Sequence, residues 1–339
     1  MKDHVNIPIF IPHLGCPNDC VFCNQRTISG HMSFERESVV REIDEALSTV
    51  SADTHCEIAF FGGSFTGIDR ELMIYLLDTA ERYVKSGRVE SIRLSTRPDY
   101  ISEEILDILS GYSVKTIELG MQSLDDKVLT ASKRGHTSSD ARRACRLIKE
   151  RGFKLVGQMM IGLPESSVDS EIATAHGICE IGADGARVYP TVVFFDTELS
   201  RMTESGEYIP LDDEDAVERT ARVLDVFDRY GVPCIRVGLC ASENLSDENC
   251  VMGGANHSAI GEMAMSRLYL GRICSEIEKA GYRGGKLTVY VSSGSVSKAV
   301  GHKRSNKIKI CKKYGFECVK VLEKKELLGY NIILEHSSH

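Results

Sequence analysis

Val5-Asn6-Ile7-Pro8-Ile9-Phe10-Ile11-Pro12-His13-Leu14-Gly15-Cys16-Pro17-Asn18-Asp19-Cys20-Val21-Phe22-Cys23 joins an apolar run of strand length to a loop that holds three cysteines. Residues 5–11 read as a buried strand. Gly15 and Pro17 interrupt it. The chain beyond repeats the strand and never the loop. A helix is expected over 34–47, a strand over 57–61, a helix over 69–84 capped by Asp69, a strand over 91–94, and a helix over 102–109 capped by Ser102. A strand over 114–119, helical pattern through 151, a strand over 153–161, a helix over 168–181 and a strand over 185–189 continue the series. A helix over 213–230 and a short strand near 232–237 end it. Strict alternation of strand and helix implies right-handed crossovers and a parallel sheet. An open doubly wound sheet and a closed or partial barrel both satisfy it. The sequence has no internal repeat and no low-complexity linker.

The strand ends carry the unusual residues. They read Gly15-Cys16, Gly62-Gly63-Ser64, Ser95-Thr96-Arg97, Gly120-Met121-Gln122-Ser123, Gly162-Leu163-Pro164 and Pro190-Thr191. In parallel α/β folds ligands sit at the C-terminal edge of the sheet. One Gly-rich strand end is a turn; six in series point to a single functional rim.

Composition narrows the class. The chain has 339 residues, 42% hydrophobic and 27% charged, as in ordinary globular proteins. That length fits two domains, or one large α/β barrel with a small appendage. No run of about 18 apolar residues suggests a membrane span. The start, Met1-Lys2-Asp3-His4, precedes no apolar segment of signal-peptide type. A cytoplasmic, reducing location is expected, so the 12 cysteines read as thiols or metal ligands rather than a disulfide framework.

Cys16, Cys20 and Cys23 have the spacing CxxxCxxC. Thiolates bind iron–sulfur clusters, and complete ligation takes four of them. Three thiolates in one loop leave an iron open, as binding and activating a substrate requires. Two other readings stand beside this one. A structural zinc would need a distant fourth ligand such as Cys56 or a histidine, and no second CxxC knuckle is present. A cysteine cluster without metal would expose three thiols to oxidation.

These residues resemble the radical S-adenosylmethionine (SAM) superfamily. Phe22 stands just before the last cysteine, as in its CxxxCxΦC motif. Gly62-Gly63-Ser64 resembles the GGE element of strand two, with Ser64 in place of the acid. Ser95-Thr96-Arg97-Pro98-Asp99, Glu118 to Ser123, Lys133-Arg134-Gly135-His136 and Met160 to Pro164 follow in the family's order. The wording is most similar to the radical SAM domain of the Elongator catalytic subunit, which modifies wobble uridines in tRNA, and covers about residues 5–240.

The resemblance implies a partial (β/α)6 TIM-like barrel, a 4Fe–4S cluster on Cys16, Cys20 and Cys23, and SAM chelated to the open iron. Reductive cleavage would give methionine and a 5′-deoxyadenosyl radical. A low-potential donor of flavodoxin or ferredoxin type would supply the electron. Gly62, Gly63 and Ser64 would lie at the methionine moiety and Arg134 at its carboxylate. Ser95, Arg97 and Gln122 would serve ribose and carboxylate; Gly162 and Leu163 would lie against adenine, near Phe22. The Elongator subunit carries an acetyltransferase domain after this region. No such motif follows here, so acetyl-CoA chemistry is not carried over.

Net charge is −8 overall, yet 283–325 holds twelve basic residues and only Glu317 and Glu323, a net of +10. The remainder therefore carries −18. A strand over 287–292, a short helix over 295–300, Gly301-His302-Lys303-Arg304, a helix over 305–314 and a strand over 316–322 are similar to the core of a KH domain, whose GxxG loop clamps a nucleic-acid backbone. Here Arg304 replaces the second glycine. Gly301, His302, Lys303, Arg304 and Lys307 are the candidate RNA contacts; a solvated basic face or a docking module is the bland alternative. The organisation read is a core over 1–240, a helical connector over 241–284 and a basic α+β module over 285–339. His257 reads as an acid/base or as a helix-start residue, and Cys234, Cys240 and Cys250 as unrelated thiols.

The reading is a radical SAM enzyme acting on RNA, with tRNA foremost. A small-molecule substrate, as in the oxygen-independent coproporphyrinogen oxidases, and a non-enzymatic RNA-binding protein with a structural metal are the alternatives.

Overall fold

The computed structural model describes residues 4–11, 14–16, 20–24, 34–51, 53–239 and 249–337. Its strands begin as expected: β1 (His4–Phe10), β2 (His55–Phe61), β3 (Ser91–Thr96), β4 (Val114–Gln122), β5 (Lys154–Ile161) and β6 (Gly185–Pro190). The short β7 (Val192–Phe194) leaves the sheet, and β8 (Cys234–Val237) rejoins it. The sheet order is β1-β2-β3-β4-β5-β6-β8, with every neighbouring pair parallel. Parallel neighbours need a crossover. Here it is made by α1 (Val39–Ser48), α2 (Arg70–Lys85), α3 (Glu103–Ser110), α4 (Asp126–Ala131), α5 (Ser138–Glu150), α6 (Val168–Glu180), α7 (Glu198–Ser205) and α8 (Asp213–Arg229). The two expected caps form. Asp69 accepts from the amides of Glu71 and Leu72, and Ser102 accepts from that of Ile105.

Strand alternation sorts the two faces. Ile7 and Ile9, Ile58 and Phe60, Ile92 and Leu94, Ile117 and Leu119, and Leu155 and Met159 point toward the helices and are buried in one core. Burying each such side chain contributes about 1.5–3 kcal/mol. The alternate residues point to the concave side. Residues from all seven strands line one cavity there, so the sheet is curled into a partial barrel whose edges are β1 and β8.

The C-terminal part rests on α9 (Ile260–Ala280). Its first half packs Ala264 and Leu268 against Ala221 and Leu224 of α8. Its second half packs Tyr269, Ile273 and Ile277 against Leu287, Val289 and Val291 of β10 (Lys286–Val291). The expected strand–helix–helix–strand unit follows as α10 (Val296–Val300), α11 (Ser305–Tyr314) and β11 (Cys318–Glu323), with β11 parallel to β10. Two pairings were not read from the sequence. β9 (Val251–Gly254) pairs with β7, and β12 (Ile333–Ser337) lies antiparallel on the other side of β10. No described helix is long and apolar enough to cross a membrane.

Candidate active site

Five of the six singular strand ends contribute residues to one cavity of about 750 Å³. Cys16, Cys20 and Cys23 stand at it together with Phe22. Their loop is pinned by backbone bonds from Ser64 N to Leu14 O (3.2 Å), Val21 N to Ser132 O (3.3 Å) and Leu199 N to Val21 O (2.7 Å). The glycines explain how the loop reaches the end of β2. A Cβ on Gly63 would lie 2.3 Å from Leu14 O and 2.8 Å from Ile11 O; one on Gly15 would lie 2.3 Å from Ser64 O. Backbone crosses backbone here with no room for a side chain.

Positive charge converges on Cys20. Arg134 Nη1 donates to its Sγ at 3.1 Å, and Arg97 Nη1 lies at 3.7 Å. Burial raises the Cys16 thiol above its ordinary value, while Arg97 and Arg134 pull it back down. The two guanidiniums place positive charge where metal ligands must be deprotonated. Arg97 has few donors left. Its Nε and Nη2 hold the Asp99 carboxylate at 3.0 Å each, and Nη2 also donates to the Arg134 carbonyl. Arg134 gives Nη2 to Gly120 O at 2.7 Å, and its buried Nε has no protein partner among the described residues.

The other residues expected from the sequence divide into two groups. Gly62, Gly63, Ser95, Arg97, Gln122 and Arg134 line the cavity. Gln122 sits at φ 65° beside a shift in strand register, with a buried Oε1 that no described group satisfies. Ser64, Gly162 and Leu163 are not on the cavity wall. Ser64 is buried, bonded to Thr96 Oγ1 at 2.9 Å and accepting from Arg97 N. Gly162 donates its amide to Glu171 (2.8 Å) and accepts from the Tyr208 hydroxyl (2.5 Å); a Cβ there would meet Leu211 at 2.7 Å. Leu163 is buried.

Sequence reading missed the floor of the cavity. Arg93 bridges Glu57 (2.7 Å) and Glu118 (2.8 Å), and Arg187 holds Glu118 from the other side (2.7 Å). Gln158 donates to Glu118 at 3.0 Å, Ser91 to Glu57 at 2.6 Å, and His4 contacts Glu57 at 2.9 Å. These bonds hold the Glu57 carboxyl below its usual value despite burial, with Ser91 and Arg93 foremost. The available signal was a charged or amide side chain inside each of six successive strands of the sheet: Glu57, Arg93, Glu118, Gln158, Arg187 and Arg236.

Comparison with known proteins places this arrangement. The Radical SAM superfamily model matches residues 10–175, and the Radical_SAM C-terminal domain model matches 183–270. An uncharacterized protein of Methanocaldococcus jannaschii is 30% identical over 237 residues, 66% of this chain and 72% of that one. The chain belongs to the radical SAM superfamily. A tRNA uridine(34) acetyltransferase of the same archaeon is 33% identical over 207 residues, 55% of this chain but 38% of its own. Among solved structures, the archaeal Methanocaldococcus infernus Elp3 with an N-terminal deletion superposes with a TM-score of 0.61 at 19% identity, over 84% of this chain and 64% of that one.

As a radical SAM enzyme the protein uses a 4Fe–4S cluster and SAM. The residues present fit those groups. Three thiols share one cavity mouth with two arginines, beside a glycine cradle and buried polar atoms of Gln122 and Arg134 that lack partners. Among the described residues no three Cys, His, Asp or Glu side chains already stand in metal-binding geometry. Bonding to the metal gathers such ligands, because binding energy and local folding are coupled. Cys56, the candidate fourth zinc ligand, is buried near the start of β2, six residues and about 20 Å of strand from Gly62.

Two side expectations resolve locally. His257 is exposed and its Nδ1 accepts from the Ala259 amide at 3.0 Å, the helix-start reading. Cys234 bonds the Arg236 carbonyl, and Cys240 lies outside the described residues.

Proposed function

We propose that this enzyme reductively cleaves SAM at a cluster held by Cys16, Cys20 and Cys23, and directs the resulting radical at RNA, with tRNA the leading substrate. The observation that carries the first half is the three-thiol cavity mouth inside a radical SAM barrel. The second half is supported by the tRNA-modifying relative and by the basic module over 285–339. The bound cluster and SAM supply an electron and a hydrogen-abstracting 5′-deoxyadenosyl radical; this chain supplies position, charge and exclusion of water. Arg97 and Arg134 keep positive charge against Cys20. Gly62 and Gly63 leave the backbone at the end of β2 bare. Gln122 and Arg134 offer unsatisfied polar atoms to SAM, and Ser95 a hydroxyl. The electron would come from a low-potential protein donor.

The 301–304 loop suits a phosphate backbone. Gly301 sits at φ 78°, where a Cβ would lie 2.5 Å from Ser305 Oγ and 3.0 Å from Asn306, whose buried amide donates to Ser266 O (2.9 Å) and Ala299 O (3.2 Å). His302, Lys303 and Arg304 are exposed, and Lys303 and Arg304 adopt φ of 49° and 64°. The first turn of α11 then opens behind Arg304 with no side-chain cap. Backbone amides and cations at one helix start form an anion site.

The test has two arms. Anaerobically reconstituted protein with SAM and reductant should release 5′-deoxyadenosine, and Cys20→Ala should not. Mass analysis of tRNA nucleosides from cells with and without the protein should show one modified nucleoside lost. Continued SAM cleavage by Cys20→Ala refutes the first half, and an unchanged nucleoside profile refutes the second.

A further inference from the structure

Five arginines line the cavity, and four of them have their charge answered. Arg93 and Arg187 share Glu118, Arg97 holds Asp99, and Arg134 meets Cys20 Sγ and Gly120 O. Arg236 is different. Parallel register pairs it with Arg187, so both point to the concave face of the barrel. Its Nε donates to Gly238 O at 3.1 Å, and no carboxylate of the described residues pairs with it. The side chain is half-buried and lines the cavity beside Arg187. A cation kept there loses part of its hydration, and among the described residues no carboxylate answers it. The carboxylates within the barrel cannot serve it, because the Glu57–Arg93–Glu118–Arg187 ladder uses both of them.

Position separates Arg236 from the cofactor residues. It lies on β8, the free edge of the sheet, while the cysteines, Gly62, Gly63 and Arg134 follow β1, β2 and β4. We propose that Arg236 anchors the substrate: it binds an anionic group, phosphate or carboxylate, on the molecule presented to the radical site. A guanidinium suits both anions, since its paired N–H groups match two oxygens at once. The anchor rests on the reading of this cavity as the active site and sharpens it. The substrate carries a negative charge beside the reacting group.

The experiment uses the reconstituted, SAM-loaded enzyme and two pairs of probes in calorimetric titration. One pair is uridine 5′-monophosphate against uridine; the other is succinate against succinamide. The wild type should bind the charged member of one pair at least about tenfold more tightly, the scale of a charge-assisted pair of hydrogen bonds. Arg236→Gln should erase that preference while keeping the iron content and melting temperature. Arg236→Lys should keep part of it and also guards against a folding defect in the first variant. An Arg236-dependent preference for the nucleotide supports both the anchor and the RNA reading. The same preference in the dicarboxylate pair alone supports the anchor and counts against RNA. Equal or undetectable binding of charged and neutral members by the wild type, or a preference that survives Arg236→Gln, overturns the anchor.

Discussion

Replacing Gly63 by alanine tests whether the cysteine loop is seated by backbone contact. The residue has no positive φ, so alanine can adopt its backbone without strain. The new methyl would lie 2.3 Å from Leu14 O and 2.8 Å from Ile11 O. The first distance is roughly 1 Å short of van der Waals contact, and both neighbours are backbone. Relief requires the loop to lift from the end of β2, breaking the Ser64 N to Leu14 O bond of 3.2 Å. Overpacking costs about 1–3 kcal/mol and the lost bond about 1 kcal/mol, so Gly63→Ala should destabilise by about 2–4 kcal/mol. The melting temperature should fall by on the order of 5 °C. Iron and sulfide per chain should fall with it, because Cys16 starts the displaced loop. Gly271→Ala is the control. A Cβ there meets nothing, and the site is inside α9, so alanine should stabilise by about 0.5–1 kcal/mol. Full iron loading by Gly63→Ala at an unchanged melting temperature would refute the reasoning.

Glu118→Gln takes from Arg187 its carboxylate and leaves Arg93 with Glu57 alone, and should cost about 3–5 kcal/mol in chemical denaturation; a loss below about 1 kcal/mol would mean water already satisfies the ladder. His136 should make stability depend on pH. Burial first, then Arg134, pushes its imidazole down to about 4, below the ordinary 6.5. The unfolded chain then binds the extra proton, so this stability is complete above about pH 6.5 and is lost as pH falls toward 4. At pH 5.5 the loss should be about 1.4 kcal/mol relative to pH 8, and His136→Asn should flatten that part of the urea-denaturation profile. Lys303→Glu combined with Lys307→Glu should weaken tRNA binding and shallow its salt dependence; an unchanged slope in filter binding would remove the 301–304 loop from the RNA interface.

The alternating strands and helices of the barrel needed no tertiary information. Helix period, strand-length apolar runs and the caps at Asp69 and Ser102 are local, and a parallel sheet follows from their alternation. The cysteine spacing is local too, so the three-cysteine loop was legible before any fold. The same holds for the C-terminal strand–helix–helix–strand unit with Gly301 between its helices. What stayed hidden depends on partners far along the chain. Arg93, Glu118 and Arg187 read singly as charges interrupting strands, and only the curl of the sheet turns them inward as a ladder. Arg97 resembles a cofactor ligand by motif, yet Asp99, Cys20 and the Arg134 carbonyl take most of its donors. Gly162 looks like one more functional strand end, but Leu211 and Tyr208 pack over it. β7 with β9, and β12 on β10, pair segments too short to declare themselves. Sequence alone determined most strands and helices of the barrel and the spacing of the three cysteines, because periodicity and spacing act within a few residues. The folded chain decided which charges face one another, because that depends on the register and curvature of strands tens of residues apart.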